Sequence, residues 1–470
     1  MARPEGQRVD HNSKEEEVEA HNERVKFSYD LTDRSAVAMS VSHSDYERTG
    51  QEKYIPDYVL YSHEINRYSL QYDQKFDFGD MKLTLYGMTR DGRYDSANSA
   101  TKYTSVSYIA NTDETNYGAM LQFGLDVNES NFLTLGGDFK IGDQSQDKDY
   151  PDDPDFMDIN GGKEKTYALF AQDEITLFED KLIFNIGGRM DWWERYDGYS
   201  HDDGLSPSPG RVEYESTSDS RFNPKFGFRY NINEMIGVRG TVGTAYKTPQ
   251  MTNMYREFRY WSTIYKPNPD LQPEKSVSYD LGIDVKKDQF SFSLSAFRTD
   301  ADDFIFYVDQ GKDAAGNTIY QYMNIGEVVI KGYEAEASYR FHPDWKVFMN
   351  HVVNEARIET FEPNPGLEDK YLKNTPLEKT SVGIVFSNPD ILTVSFSIRH
   401  VGTIYTKDDN SEEFGNYWTA NAKITRKFKL NDYTVEAGLE AQNIFDELEQ
   451  ESATYVGPGS TVMGSIRFEF

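Results

Sequence analysis

The sequence predicts an all-β chain that forms a transmembrane antiparallel β-barrel, and three observations support this fold class. Apolar and polar residues alternate with a period of two, which places them on opposite faces of a strand. The alternating segments run to about ten residues, the length that a tilted strand needs to cross a bilayer. The connections between them are alternately short and long, as in outer-membrane barrels.

The clearest example is the hairpin from Ser276 to Phe297. The apolar face of its two arms consists of Val277, Tyr279, Leu281, Ile283, Val285, Phe290, Phe292, Leu294 and Ala296. The intervening positions are mostly serine and aspartate, and the arms are joined by the short turn Lys286–Asp288. A strand of a soluble sandwich usually ends after about five or six residues. This hairpin is therefore long enough to span a membrane.

The same alternation, followed from residue 24 to residue 470, predicts about 19 strands. Short connections such as Phe178–Asp180 and His342–Asp344 are rich in residues that favour turns. Long connections include 195–221, 246–275 and 356–379. Because all the long connections fall at one end of the strands, we expect that end to be extracellular.

Composition sets limits on function. The chain has 470 residues, no cysteine and a formal charge of −30, and it has no apolar run long enough for a membrane-spanning helix. Its low mean hydropathy of −0.72 fits a barrel whose interior positions are polar. The acidity argues against nucleic acid as a partner. We find no His-Glu-x-x-His, phosphate-binding glycine loop or nucleophile elbow, and predict neither an enzyme nor a cofactor.

Several stretches resemble the β-barrel of TonB-dependent outer-membrane receptors. The combination and order of these stretches are specific, although each alone would be a weak signal. They are Gly243–Pro249, Asn268–Ser276, Tyr279–Gly282, Tyr167–Glu174, Gly187–Asp191, Asn443–Asp446 and Pro458–Phe470. The resemblance covers residues 24–470 and implies the outer membrane of a Gram-negative bacterium. It also implies that the terminal aromatic Phe470 is the signal for the barrel assembly machinery.

The resemblance implies a barrel of about 22 strands with a plug in its lumen. No signal peptide, TonB box or plug is recognisable, so we expect an N-terminally truncated chain with the plug absent. The polar segment 1–23 is then expected to be the remnant of an extracellular loop. TonB and a plug are partners of the family, but the elements that would bind them are missing. Polar wall residues that would contact a plug are expected instead to form salt bridges with one another across the inner wall: Glu334, Glu336, Arg340, Glu436, Glu440, Arg467 and Glu469.

The long loop 246–275 is the best candidate for contact with a ligand. It combines three cations with five aromatic residues in a chain that is otherwise acidic. These residues are Tyr255, Arg256, Phe258, Arg259, Tyr260, Trp261, Tyr265 and Lys266. Such a set suits an anionic, ring-bearing ligand through charge-assisted bonds and stacking. The alternative is that the aromatics form the outer girdle and the cations pair with neighbouring loops.

A second candidate is an acidic loop that could bind calcium. Its carboxylates are Asp147, Asp149, Asp152, Asp153, Asp155 and Asp158. Calcium takes six to eight oxygen ligands. Two prolines interrupt the spacing, and a solvated acidic loop is the competing interpretation.

Together these observations predict the barrel of an outer-membrane receptor that takes up a ferric siderophore or a similar small iron chelate. A receptor for cobalamin or an oligosaccharide would keep the same architecture. A passive porin, or a barrel fragment that does not function, also remains open. The ligand itself is not specified by the sequence.

Overall fold

The computed structural model describes residues 17–49, 59–97, 105–203, 210–260, 263–324, 326–430, 433–450, 457 and 459–469. Most of these residues form one sheet of 20 strands. The first ten in chain order are β1 (Glu17–Thr32), β2 (Ser35–Thr49), β3 (Val59–Phe76), β4 (Gly79–Ala97), β5 (Val106–Asn128), β6 (Asn131–Asp149), β7 (Asp158–Leu177), β8 (Leu182–Asp202), β9 (Val212–Tyr214) and β10 (Thr217–Asn231). The other ten are β11 (Ile236–Lys247), β14 (Glu274–Lys287), β15 (Phe290–Asp302), β18 (Glu327–His342), β19 (Trp345–Thr360), β20 (Glu378–Asn388), β21 (Leu392–Val401), β24 (Tyr417–Leu430), β25 (Tyr433–Gln442) and β26 (Thr461–Glu469).

Smaller elements lie in the long connections. They are the helix α1 (Met251–Tyr255), the strands β12 (Phe258–Tyr260), β13 (Thr263–Lys266), β16 (Ile305–Lys312), β17 (Thr318–Asn324), β22 (Ile404–Tyr405) and β23 (Glu413–Phe414), and the 3₁₀ turn Pro365–Leu367. Strands β12, β13, β17 and β16 pair into a separate sheet. No helix among the described residues is long and apolar enough to cross a membrane.

Each long strand pairs antiparallel with the next long strand along the chain, from β1–β2 to β25–β26. Without the three-residue β9, the wall has 19 strands (20 minus 1), each of 9 to 23 residues. The predicted barrel wall of about 19 strands is therefore confirmed for the described part of the chain. Every described residue outside this wall lies in a turn or a long connection, and none forms a separate plug.

The register assigns apolar side chains to the outward face. Directly opposed residues of antiparallel strands lie on the same face, so Ile283, Leu294 and Ala335 form one continuous apolar row. Many residues of this face are exposed, including Leu281 at 58% and Ile466 at 69%. A chain in water would not leave so many large apolar side chains uncovered. Lipid contact explains why the outward face is apolar, and water in the lumen explains why the inward face is polar.

The alternation of short and long connections is also confirmed. Short turns use backbone conformations with positive φ, as at Phe178, Glu179, Asp180 and Asp288. In another short turn, Asn233 Oδ1 accepts bonds of 2.9 Å from the amides of Met235 and Ile236. The described parts of the long connections, with the small strands and α1, lie at the opposite end of the wall strands.

The strands differ from the sequence prediction mainly in length. β5 has 23 residues where alternation predicted Thr115–Asp126, because the backbone ladder continues above the bilayer, where outward positions are polar. For the same reason β1 starts at Glu17, and residues 17–23 are strand instead of loop. The predicted strand Gln289–Phe306 is divided into β15 and β16 at Asp303, whose φ is 57°. Residues 1–16, Trp261 and Phe470 lie outside the described residues.

The two edge strands, β1 and β26, have no recorded pairing with one another in the described residues. Since 19 strands alternate in direction, β1 and β26 run the same way. Their outward side chains are exposed, with Phe27 at 62% and Phe468 at 59%.

Candidate functional site

The loop between β11 and β14 folds inward and is anchored by a small apolar cluster. Met254, Tyr255 and Leu271 are almost completely buried together, and the Tyr255 ring stacks on Tyr214 at 5.1 Å between centroids. Residue 198, which lies beneath the Tyr255 ring, must be glycine, because an ideal Cβ there would lie 2.6 Å from that ring. These contacts fix the start of the loop against β7 and β8.

A buried ion pair supports the anchor. Arg195 is only 3% exposed, and its Nε and Nη2 donate to Glu164 Oε2 at 2.9 and 2.8 Å. Its Nη1 contacts the sulfur of Met254. Because Glu164 and Arg195 are directly opposed on β7 and β8, the wall itself holds the pair in place. Loss of Glu164 would leave the charge of Arg195 buried and uncompensated, so the pair is needed to keep Arg195 in this position.

The anchored helix directs the next residues over the inner wall. The Arg256 guanidinium lies above the Phe258 ring at 4.7 Å, and Nη1 donates to Gln146 Oε1 at 3.3 Å. Phe258 in turn stacks on Tyr265 with 4.4 Å between centroids and 3° between planes. This geometry is typical of cation–π and offset stacking contacts. It holds the Arg256 side chain rigidly at the mouth of the barrel.

Beneath Arg256 and Phe258 lies a cavity of about 600 Å³ on the inner face of β3 to β6. Its floor and sides come from the extracellular ends of these strands, and its rim from the loop after β6. The side chains that matter below are Tyr61, Arg90, Arg93, Tyr94, Tyr108, Lys148, Tyr150, Phe156, Asp158 and Asp202. The volume is in the range of pockets that hold small molecules.

Two of the four cations in this cavity are neutralised by the protein. Lys148 pairs with Asp158, and both side chains are almost fully buried. Arg93 donates to Asp95 Oδ1 at 2.7 Å. The buried charge of Lys148 is thereby compensated, and neither Lys148 nor Arg93 adds net charge to the cavity.

Arg90 and Arg256, the other two cations of the cavity, differ from Lys148 and Arg93 because neither forms a close ion pair. Arg90 Nη2 donates to the neutral Tyr61 hydroxyl at 2.6 Å, and its nearest carboxylate oxygen, on Glu114, is 3.8 Å from Nη1. The Nε atoms of Arg90 and Arg256 are buried and have no hydrogen-bond partner among the described residues. Buried donors without partners are rare because each costs about 1–3 kcal/mol. Neither guanidinium has a carboxylate oxygen closer than 3.8 Å among the described residues, so both leave positive charge at the cavity.

The aromatic side of the cavity is a chain of rings. Tyr108 and Tyr150 are 5.8 Å apart, and Tyr150 lies 4.6 Å from Phe156. The Tyr150 hydroxyl donates to Asp158 Oδ2 at 3.1 Å. Burial, followed by the charge of Asp158, raises the pKa of Tyr150. Tyr150 consequently stays a neutral hydrogen-bond donor at physiological pH.

The structure places the predicted ligand residues in different environments, and only some of them line the cavity. Arg256 and Phe258 line the cavity, and Tyr265 stacks behind Phe258. Tyr255 is 1% exposed, so it anchors the loop instead of lining the cavity. Lys266 is exposed at the end of β13. Arg259 and Tyr260 have described backbone in β12 but no described side chains, and Trp261 lies outside the described residues.

Sequence reasoning missed the wall half of the site. Tyr61, Arg90, Tyr108, Lys148 and Tyr150 line the cavity. Arg90, Tyr108 and Lys148 lie on three adjacent strands and become neighbours only through register, and Tyr150 directly follows β6. For example, Ala110 pairs with Lys148, which places Lys148 next to Tyr108 on the inner face. The available signal was the inward period of two, extended beyond the predicted strand ends.

The acidic loop contains no arrangement that resembles a calcium site. Among the described residues no three carboxylates or imidazoles are grouped to hold a metal ion. Asp147 and Asp149 both accept from Asn111 Nδ2 at 3.0 Å, and Asp158 is occupied by Lys148. The side chains of Asp152, Asp153 and Asp155 are exposed. Calcium binding therefore stays a prediction without geometric support, which calorimetric titration with calcium would test.

Comparison with known proteins identifies the family. The family described as "TonB dependent receptor-like, beta-barrel" matches residues 12–444. The chain belongs to this family. Membership places the barrel in the outer membrane, and the family consists of receptors and transporters instead of enzymes.

Curated relatives of this TonB-dependent receptor barrel include siderophore receptors. It is 22% identical over 337 residues to the ferric enterobactin receptor of Pseudomonas aeruginosa, covering 62% of this chain and 41% of the relative. It is 24% identical over 315 residues to the probable TonB-dependent siderophore receptor PirA of Acinetobacter baumannii, covering 55% of this chain and 40% of the relative. The vitamin B12 transporter BtuB of Vibrio vulnificus is 22% identical over 55% of this chain and 38% of the relative. The matched parts thus span only about 40% of these relatives.

Solved structures share the fold. The copper transporter OprC superposes with a TM-score of 0.77 at 13% identity, covering 96% of this chain and 72% of OprC. The siderophore receptor PirA from Acinetobacter baumannii superposes with a TM-score of 0.71 at 17% identity, covering 97% of this chain and 71% of PirA. At these sequence identities the similarity shows a shared fold only. The ligand of this chain must therefore be inferred from the cavity.

Proposed function

We propose that this barrel belongs to a receptor that takes up an anionic, ring-bearing iron chelate, such as a ferric siderophore, across the outer membrane. The observation that carries the proposal is the pair Arg90 and Arg256, which line one cavity and have no carboxylate oxygen closer than 3.8 Å in the described part of the chain. They flank a cavity lined by tyrosine and phenylalanine rings. A chelate with phenolate or carboxylate groups would satisfy the guanidiniums and stack on the rings.

The relatives support the same class of cargo. Two of the curated relatives are named as receptors for ferric enterobactin or another siderophore. In the proposed cycle the cavity captures the chelate, and energy passed by TonB through a plug drives release inward. The described residues supply capture only. TonB and the plug are partners that the proposal requires of the complete receptor.

Direct binding to the purified chain in detergent micelles tests the proposal. The probe is iron(III) tris-catecholate, whose complex is anionic and aromatic, and binding is measured by equilibrium dialysis of labelled iron. We expect Arg90→Gln with Arg256→Gln to weaken binding about tenfold or more, because two charge-assisted contacts are lost. Unchanged affinity in this variant would overturn the assignment of the cavity.

Two further measurements distinguish the competing cargoes. In an intact receptor that carries this barrel, Arg256→Ala with Arg259→Ala should reduce uptake of the anionic chelate. Cobalamin serves as the second probe because one relative is named a vitamin B12 transporter. Binding of cobalamin without binding of the iron complex would replace the proposed cargo. Steady conductance of the barrel in a planar bilayer would instead indicate a passive pore.

A further inference from the structure

A charged side chain interrupts the lipid-facing surface of β7. Asp173 is directly opposite Leu133 on β6 and Ile186 on β8, so all three lie on one face of the wall. This is the outward face, because Ile186 is 49% exposed and its row continues through Phe226 to the outward positions of β11 and β14. A carboxylate among apolar residues that face lipid is costly unless another group compensates its charge.

The Asp173 carboxylate is only partly compensated by the chain itself. Its Oδ2 accepts from Asn131 Nδ2 at 3.1 Å. Its Oδ1 is buried and has no hydrogen-bond partner among the described residues, and the same residues provide no ion pair. An acceptor that is covered and unpaired costs free energy, so a cation from another molecule would stabilise Asp173.

The depth of Asp173 in the membrane favours a protein cation over a lipid headgroup. Asp173 lies four residues before Leu177, the last residue of β7, which corresponds to about 13 Å of strand. The outward positions between it and the periplasmic end are Ile175 and Leu177, and both are apolar. The carboxylate therefore faces acyl chains, which offer it no cation.

A cation occupies the corresponding position on β24. Arg426 is directly opposite Ala437 on β25, and Ala437 is opposite Ile466 on β26. Ile466 belongs to the exposed outward face, so Arg426 faces lipid as well. Its guanidinium lies 5.1 Å from the centre of the Phe428 ring and forms no ion pair with the described residues. Because Ala437 is small, the exposed Arg426 side chain can extend away from the wall.

The two charged residues lie at matching heights on opposite sides of the wall. Arg426 is four residues before Leu430, the last residue of β24, just as Asp173 is four residues before the end of β7. Both strands run toward the periplasmic end. β24 is the tenth wall strand after β7 in a wall of 19, so the two side chains point in nearly opposite directions. A second copy in the same membrane therefore presents Arg426 at the height of Asp173.

Contact between two such copies would compensate both charges. Each charge is costly while it faces hydrocarbon alone, and pairing removes this cost from both partners. Apolar residues around the pair would exclude water and strengthen the attraction. They include the exposed Ile186 beside Asp173, and Ile424 and Leu439 above Arg426. An ion pair in water would contribute far less.

We propose that copies of this barrel associate side by side in the membrane, with Arg426 of one copy paired with Asp173 of the next. The two copies contribute different surfaces to this contact. Because these surfaces lie on opposite sides of the wall, the contact repeats and forms rows instead of closed dimers. The proposal concerns the lipid-facing surface and does not depend on the ligand of the cavity.

Chemical cross-linking in lipid vesicles tests the contact. The chain has no cysteine, so one cysteine can be introduced at a chosen outward position. Ala171→Cys and Ile424→Cys each lie two residues above one of the charged residues and leave both charges in place. The two variants are reconstituted together in phosphatidylcholine vesicles and treated with a short bis-maleimide. We expect cross-linked pairs in the mixture and none when either variant is reconstituted alone, because the contact joins different surfaces.

Charge variants in the same cysteine backgrounds establish which residues are responsible. Asp173→Arg in every copy should reduce cross-linking about tenfold or more, because two guanidiniums would then meet. Exchange of the charges in every copy, Asp173→Arg with Arg426→Asp, should restore it. The matched control is Arg298→Asp, which reverses an outward cation on β15 away from the contact and should leave cross-linking unchanged. Circular dichroism confirms that each variant retains its strands.

Three results would overturn the proposal. One is cross-linking that is unchanged in Asp173→Arg, and another is failure of the charge exchange to restore it in a folded chain. The third is loss of cross-linking when phosphatidylethanolamine replaces phosphatidylcholine, since a headgroup ammonium would then be the partner of Asp173.

Discussion

Two parts of the inner wall carry similar cations but treat them differently. On β24 and β25, Lys423 and Lys427 lie directly opposite Glu440 and Glu436, at 2.8 and 3.5 Å between charged atoms. On β1 to β6, the positions opposite Arg24 and Arg67 are occupied by a serine and a methionine. We call these the paired wall (β24–β26) and the cavity wall (β1–β6).

The difference indicates what each wall does. Opposed charges on neighbouring strands stabilise the pairing modestly and leave no net field. Cations without partners contribute nothing to strand pairing and create a local positive potential within an acidic molecule. Both walls face the same lumen, so hydration alone does not explain the difference. The proposed ligand binding would explain why the cavity wall departs from the pairing pattern of the paired wall.

The largest expected effect comes from reversing one charge on each wall. Arg90→Glu should weaken binding of iron(III) tris-catecholate about 100-fold, because a charge-assisted contact is lost and a repulsive charge replaces it. Lys423→Glu on the paired wall should leave binding unchanged. Dialysis of both variants at matched salt makes the comparison. Equal losses would mean that the lumen responds only to its total charge.

A smaller effect is expected when the cavity wall is made to resemble the paired wall. Ser42→Glu places a carboxylate directly between Arg24 and Arg67. Neutralising both cations should leave binding of iron(III) tris-catecholate at Arg90 and Arg256 unchanged, because neither Arg24 nor Arg67 lines that cavity. The free energy of unfolding should stay the same or rise slightly, since opposite charges now face each other. A clear loss of binding would show that cations outside the cavity contribute to it.

The sequence predicted the wall better than the site, for a physical reason. Alternation at Val435, Ala437 and Leu439 is local, so membrane strands are readable without knowledge of their neighbours. The cavity depends on which residues lie opposite one another across neighbouring strands. Arg90, Tyr108 and Lys148 are separated in sequence, and the turn lengths that set their register were not determined precisely enough to align them. Tyr255 was misplaced because composition does not distinguish an anchoring aromatic from an exposed one.

A third effect concerns pH and is confined to the cavity wall. The pKa of Tyr150 is raised in the folded chain, first by burial and then by Asp158, whereas an unfolded tyrosine has a pKa of about 10. The contribution of Tyr150 to stability is therefore complete below pH of about 10 and is lost as the pH rises further. In urea titrations of the detergent-refolded chain, stability should fall more steeply above this pH than in Tyr150→Phe. Identical slopes would mean that Tyr150 is open to water.

The smallest expected effect is on the paired wall itself. Lys423 and Glu440 both retain access to water, with side-chain exposures of 50% and 28%. Exposed pairs contribute about 0–1 kcal/mol, so a double-mutant cycle with Lys423→Gln and Glu440→Gln should give a coupling of that size, decreasing with salt. A coupling well above this range would mean that the paired wall is held by its charges. In that case the absence of pairs on the cavity wall would represent a real loss of stability, which strengthens the argument that its cations are retained for binding.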